Sequence, residues 1–450
     1  MNIDVRASVF AIAILVTLVC PVQAFADSVT PPPVVSRAIS IGEAVAIAFE
    51  NSPRIAGQQS EANAGKARIG MVKAMTRPQL STTTFLTTGT MPNIVSGAPS
   101  VQPMGSLLVP DKGQADQNLT AMLPLYTGGR LQGQVRGAQK EYEASQSDVK
   151  TIRLDVALEV KTAYKKTLLA RSFVETYKRR EDESRERVRI AEAAFTEGKI
   201  AKFDLLRNLT ELADSQQTLN NSLKDVDLAL VDLKATLGIS QASELTLTDV
   251  LSAQPLTVNI SEVEAAALRT RPEMVSAKLR VQAAQAAVDS AKSAYRPQVY
   301  AVGMQDFAST SSAGFDQGYT VGLTAAIPLV DGGQRKSVVN EARAMLEKTR
   351  AEERATMIQV SREAATAFTE AQAAAQNLSL AQAAIDQAHE DYRVIKLRYD
   401  SGKSINIEVL DALASLTKAR TNLAQAQYES SAAQDRLERA EGSIKGGSPE

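Results

Sequence analysis

Two carboxylates, Glu408 and Asp411, stand three residues apart at the start of a helix-forming stretch, so both lie on one helix face, where they attract cations. The same placement suits a plainer role, because acids in the first turn of a helix interact favourably with its N-terminal dipole. Other chemistry is scarce. The chain has one histidine, His389, one cysteine, Cys20, and no tryptophan, which leaves little material for a His/Cys metal site, a disulfide framework or an aromatic stacking platform. Gly402-Lys403-Ser404 mimics the end of a phosphate loop, but Leu397 stands where that loop needs its earlier glycine, and a helical pattern precedes it. No G-x-S-x-G nucleophile motif occurs. The sequence therefore predicts no enzyme, no cofactor and no metal.

The segments that must position these residues belong to a chain of 450 residues, 44% apolar and 22% charged, which is enough for one large or several ordinary domains. Lysine plus arginine (50) balances aspartate plus glutamate (51), so no global charge favours nucleic acid. Local basic runs such as Lys178-Arg179-Arg180 are cancelled at once by Glu181, Asp182 and Glu183. Residues 1–26 read as a signal peptide: Arg6, an apolar run, then Ala24-Phe25-Ala26 as a cleavage pattern. No other stretch approaches the roughly 20 apolar residues that a membrane-crossing helix needs.

The chain is written twice. Pro53 and Pro78 recur as Pro272 and Pro297 at an offset of 219, and Pro78 and Pro297 each open Pro-Gln after arginine. Leu123-Pro124-Leu125-Tyr126-Thr127-Gly128-Gly129 recurs as Ile327-Pro328-Leu329-Val330-Asp331-Gly332-Gly333, and Gly198-Lys199 as Gly402-Lys403, at an offset of 204. The difference of 15 residues falls in a proline- and glycine-rich loop of the first half. The expected organisation is an extended N-terminal segment at 27–40, a first repeat at 41–237, a connection at 238–260, a second repeat at 261–441 and a disordered tail at 442–450.

Each repeat predicts a helix of about 35 residues (41–76; 261–295), two strands (78–90 with 117–126; 297–309 with 318–330), a helix of roughly 67 residues (130–196; 334–400) and a returning helix (204–237; 408–441). At about 1.5 Å per residue the long helix reaches roughly 100 Å, too long for one compact core. Its second copy carries a heptad seam: Met357, Ala364, Ala371, Leu378, Ile385, Tyr392 and Tyr399, with Val360, Ala367, Ala374, Ala381, Ala388 and Ile395 three residues later. The first copy keeps Val156, Val160, Val188 and Ala191 but admits Thr167, Glu181 and Ser184. Leu205, Leu209, Leu212, Leu219, Leu223, Val226, Leu230, Leu233 and Leu237 form one stripe on the helix that follows. In the last strand Tyr319, Val321, Leu323, Ala325, Ile327 and Leu329 alternate onto one face.

Four strands cannot close a barrel, and open edges are not tolerated in lipid, so such strands in an outer membrane require several chains to share one wall. Here the pattern resembles the TolC-type outer-membrane efflux proteins over about residues 41–441: duplicated elements, Pro-Gln strand starts at Pro78 and Pro297, Gly-Gly corners at Gly128 and Gly332, and the turn Tyr399-Asp400-Ser401-Gly402. The resemblance implies a mainly α fold with β: a long antiparallel coiled-coil helical barrel plus four membrane strands per chain, completed as a shared twelve-stranded barrel in a homotrimer. It implies a Gram-negative outer-membrane channel with a periplasmic extension, the exit duct of a tripartite efflux pump or type I secretion system. Its partners would be a periplasmic adaptor protein, an inner-membrane transporter and outer-membrane lipid, with no nucleic acid. It further implies a periplasmic gate at Tyr399 and Asp204, with Lys403 and Ser404 where the family often has an arginine at the second position, and a cation-selective entrance at Glu408 and Asp411. The alternative is a soluble periplasmic coiled-coil adaptor, which leaves the paired strands unexplained.

Overall fold

The computed structural model describes residues 31–87, 114–252, 259–310 and 314–443. The expected signal peptide, the whole of the expected first-half loop and most of the expected C-terminal tail lie outside the described residues. In chain order the elements are β1 (Arg37–Ile39), α1 (Ile41–Asn51), α2 (Pro53–Ala74), β2 (Gln79–Thr87), β3 (Gln114–Tyr126), α3 (Arg130–Thr196), α4 (Lys202–Leu237), β4 (Leu245–Leu247), α5 (Ile260–Thr270), α6 (Pro272–Lys292), β5 (Gln298–Thr310), β6 (Gly314–Ala326), α7 (Gln334–Asp400) and α8 (Asn406–Ala440).

The two 67-residue helices α3 and α7 run between the limits the sequence predicts. The expected helices at 41–76 and 261–295 are each broken. Ser52 and Arg271 adopt extended backbone before Pro53 and Pro272, because the proline ring excludes the helical region for its predecessor and then starts a new helix at its first position. The first break lies beside a dry core: Ile39, Val45 and Ala48 meet Val156, Val160 and Tyr164 of α3 and Leu233 and Leu237 of α4. The Tyr164 hydroxyl donates to the Ile39 carbonyl at 2.9 Å. The second core is built from alanine, with Ala364, Ala367, Ala371 and Ala374 of α7 against Ala433, Leu437 and Ala440 of α8 and Val263 and Ala267 of α5.

The α7 seam holds from Val360 to Tyr399, every a/d position being buried or half-buried; Met357, expected in it, is 43% exposed. The leucine stripe of α4 holds at its C-terminal end, where Leu233 and Leu237 are buried. Nearer the start of the helix the buried line is Asn208, Ser215, Ser222 and Ala229, with Leu205, Leu212, Leu219, Val226 and Leu230 half-buried and Leu209 and Leu223 exposed. Small residues let α3 and α4 approach closely enough for the Thr167 hydroxyl to reach the Ala229 carbonyl at 3.3 Å.

One antiparallel sheet has the order β2-β3-β5-β6, so β2 and β6 are its two edges. Pairing of Leu119 with Gln305 and of Ala121 with Gly303 joins the halves. The last strand ends at Ala326 rather than residue 330: Ile327 to Val330 continue the apolar alternation but have no ladder partner among the described residues, and Leu329 and Val330 are 85% and 91% exposed. A parallel pair that periodicity did not reveal, β1 with β4, ties the segment before α1 to the one after α4. Three residues each are too few to leave a periodic signal.

Candidate functional site

Two surfaces carry the chemistry: the helical turns at one end of the rods and the sheet at the other. Each long helix ends on a glycine at positive φ, Gly198 at 69° and Gly402 at 72°. The following N–H then reaches back to the helix, Lys199 to the Ala194 carbonyl and Lys403 to the Arg398 carbonyl, both at 2.8 Å, which terminates the helix and turns the chain into its return partner.

At the second turn the Ser404 hydroxyl donates to the Glu408 carboxylate. Glu408 and Asp411 are both exposed, as their spacing predicts, because Val409, Ala412, Leu413 and Leu416 bury the other face of α8. Asp204 is half-buried in the first turn of α4, where its carbonyl accepts from the Asn208 side-chain amide at 2.8 Å. Within the chain no hydrogen bond or ion pair joins Tyr399, Lys403 or Arg207 to Asp204 among the described residues. The site residues predicted from the sequence thus form one contact, Ser404 with Glu408, and otherwise stand apart in a single subunit.

Tyr399 lines a cavity of about 260 Å³ with Glu183, Arg187, Asn208, Tyr392 and Asn406. The Arg187 guanidinium donates to the Tyr392 hydroxyl at 3.2 Å and lies 5.9 Å from its ring centroid, linking α3 to α7. Burial pushes the Tyr392 hydroxyl above its ordinary pKa, although Arg187 opposes that shift. Sequence reading placed Tyr392 in the seam one heptad before Tyr399 but gave it no polar partner. On the neighbouring pair, Arg180 holds α3 to α4 through Glu211 at 2.7 Å and Asp214 at 2.8 Å.

A second polar cluster lies at the α5–α6 break. Arg271, 2% exposed, binds Glu273 at 3.0 Å and Glu363 at 2.7 Å, while Arg439 binds Glu273 at 2.6 Å and Asp155 at 2.7 Å. These pairs fasten α6, α7, α8 and α3 together. The sequence marked Arg271 only as the residue before a proline, and pairs between residues so far apart in the chain leave no periodic trace.

The sheet has two unlike faces. Asn118, Thr120 and Asp306 share one, and Asn118 donates to the Asp306 carboxylate. On the other face Leu123 stands opposite Ala301, and Ala301 opposite Leu323. Tyr319, Val321 and Leu323 leave 80%, 81% and 71% of their surface uncovered in the single chain. Among the described residues no helix is long and apolar enough to cross a membrane. The exposed apolar face of the sheet is itself the candidate lipid surface.

Comparison with known proteins agrees with this geometry. The chain superposes on VceC of Vibrio cholerae with a TM-score of 0.74 at 18% identity, covering 90% of this chain and 96% of that one. It superposes on the open state of MtrE of Neisseria gonorrhoeae with a TM-score of 0.72 at 16% identity, covering 90% and 89%. In sequence it is 25% identical over 323 residues to the toluene efflux pump outer membrane protein TtgF of Pseudomonas putida, spanning 69% of this chain and 65% of that protein. It is 20% identical over 285 residues to the alkaline protease secretion protein AprF of Pseudomonas aeruginosa, spanning 61% and 59%. The family model for outer membrane efflux proteins matches residues 45–239 and 265–443, and on that match the chain belongs to the outer membrane efflux protein family.

Proposed function

We propose that three copies of this chain form an outer-membrane channel-tunnel, the exit duct through which a tripartite efflux pump or a type I secretion system passes small molecules or proteins out of a Gram-negative cell. The observation that carries this reading is the sheet with two edges unpaired among the described residues and one apolar face, set at the end of helices too long to fold back over it. Four strands from each of three chains make twelve, enough to close a wall around water, and the two internal repeats of each chain would supply its alternating halves. The duct performs no covalent chemistry. A periplasmic adaptor and an inner-membrane transporter would supply cargo and energy. A soluble adaptor has no use for an apolar sheet face, which sets that alternative aside.

At the helical end, Tyr399, Asp204, Lys403 and Ser404 are assigned to the gate and Glu408 with Asp411 to the entrance. No hydrogen bond joins Tyr399 to Asp204 among the described residues of one chain, and the gate contact assigned to them is one between the two halves. In a threefold channel the exposed carboxylates of Glu408 and Asp411 become two stacked rings that draw cations inward. The test is to purify the protein from outer membranes and record single channels. A conducting oligomer is expected. Glu408→Ala with Asp411→Ala should reduce cation selectivity and relieve block by multivalent cations. Unchanged selectivity would remove the entrance assignment, and recovery only as a soluble periplasmic monomer would remove the duct.

A further inference from the structure

The two free edges of the sheet raise the question of which residues meet when copies join. The pairings inside the chain contain the answer. Moving the β2 residue Gln79 forward by 219 and its β3 partner Met122 by 204 gives Gln298 and Ala326, which are themselves partners across β5 and β6. The same shifts hold along the pair without a slip: Thr83 with Asn118 becomes Val302 with Gly322, and Thr87 with Gln114 becomes Asp306 with Gly318, both pairs observed. The sequence offsets are therefore also the offsets of the ladder. The third junction, β3 with β5, joins a strand of the first half to one of the second, and its counterpart would join β6 to β2, which in one chain lie on opposite edges.

Applying the offsets to that junction fixes a register. Leu123 opposite Ala301 becomes Ile327 opposite Thr82, Ala121 opposite Gly303 becomes Ala325 opposite Thr84, and Tyr126 opposite Val299 becomes Val330 opposite Leu80. We infer that β6 of one copy pairs antiparallel with β2 of the next in this register, with Thr82 opposite Ile327 and Thr84 opposite Ala325, and that the pairing draws residues 327–330 into the strand. The inference rests on the duct reading and specifies its subunit junction.

Two further observations support it. Leu123, Leu125 and Tyr126 are strand residues with β5 beside them, whereas their counterparts Ile327, Leu329 and Val330 lie beyond the end of β6 and are 52%, 85% and 91% exposed. What the second set lacks is a neighbour. The register also places Ile327 and Ala325, on the face of Val321 and Leu323, beside Thr82 and Thr84, on the face of Leu80, which is 70% exposed. A slip of one residue would turn the apolar face of one copy against the polar face of the next. A slip of two keeps the faces and is the competitor to be tested.

Cysteine pairs decide between them, since within one chain the two edges cannot reach each other and any disulfide must join copies. The sequence has a single cysteine, so the Cys20→Ala background is free of thiols. In it, Thr82→Cys with Ile327→Cys and Thr84→Cys with Ala325→Cys test the register, and Thr82→Cys with Ala325→Cys tests the displaced one. Facing Cα atoms lie within the ~4.4–6.8 Å that a disulfide spans, whereas diagonal neighbours stand about 7–8 Å apart. Oxidation of outer membranes should give a ladder ending at a trimer for both in-register pairs, lost on reduction, and none for the displaced pair. A ladder from the displaced pair alone, or from no pair in a conducting oligomer, overturns the register and leaves the duct standing. So does assembly of the displaced variant where both in-register variants fail to assemble when reduced. A chain recovered only as monomer overturns both.

Discussion

Arg271 shows how much one side chain can hold. It is 2% exposed, and its guanidinium serves two carboxylates on different helices, Glu273 and Glu363. Removing it leaves Glu273 to Arg439 alone and Glu363 without its buried partner. Arg271→Ala should therefore lower stability by about 3 kcal/mol, toward the low end for a broken buried pair because Glu363 keeps contact with water; denaturant or thermal melts of the purified protein would measure it. Burial alone would raise the Glu273 carboxyl, but the hydrogen bond from Arg271 and the charge of Arg439 bring it below the usual carboxylate range. A carboxyl held low in the folded state contributes stability that is present above its unfolded pKa, about 4.3, and is lost as pH falls through the folded value. The melting temperature should fall below about pH 4, and Arg271→Ala should show the smaller fall. None of this was visible in the sequence, where the counterpart of Arg271 is Ser52 and only the following proline marks the position.

At the scale of elements, what could be read depended on whether the cause was local. Glycine at Gly198 and Gly402 and proline at Pro53 and Pro272 act on their own backbone, so helix ends and breaks follow from residue type. The α7 seam was legible because one helix carries all of it, and its alanines set the distance to α8. Ala371 is 3% exposed in that seam. Ala371→Leu should overpack it and cost about 1–3 kcal/mol, whereas leucine at exposed Ala373 should cost little; paired melts of the two variants check this. On α4 the leucine stripe was legible only in part: Leu233 and Leu237 are buried as it predicts, but toward the start of the helix Asn208, Ser215, Ser222 and Ala229 permit the close approach to α3 and take the buried line. The end of β6 misled for another reason: alternation records which face is apolar, and a strand also needs a partner for its backbone.

For the whole molecule, the proposed duct requires other copies to complete the wall that one chain begins. Val321, 81% exposed, lies on the apolar face of the sheet, and Thr320 on the opposite face. Val321→Arg should cost about 2–4 kcal/mol if placed against the middle of the bilayer, and the amount of oligomer recovered from outer membranes should drop. Thr320→Arg should leave that amount unchanged and alter conductance. Composition left little material for enzymes or metal proteins, and the doubled pattern conveyed the architecture, but how one copy meets the next depends on distances that a single sequence does not state. The parallel pairing of β1 with β4 has a temporal consequence as well. Ile41 and Asp249, which bond beside that pairing, are separated by 208 positions. In an exported chain β1 leaves the cytoplasm first, yet its partner follows only after the entire first hairpin of helices, so this small clasp can be fastened only late, and a chain cut short before residue 245 would leave Ile39 without Leu245 and Leu247 in its core.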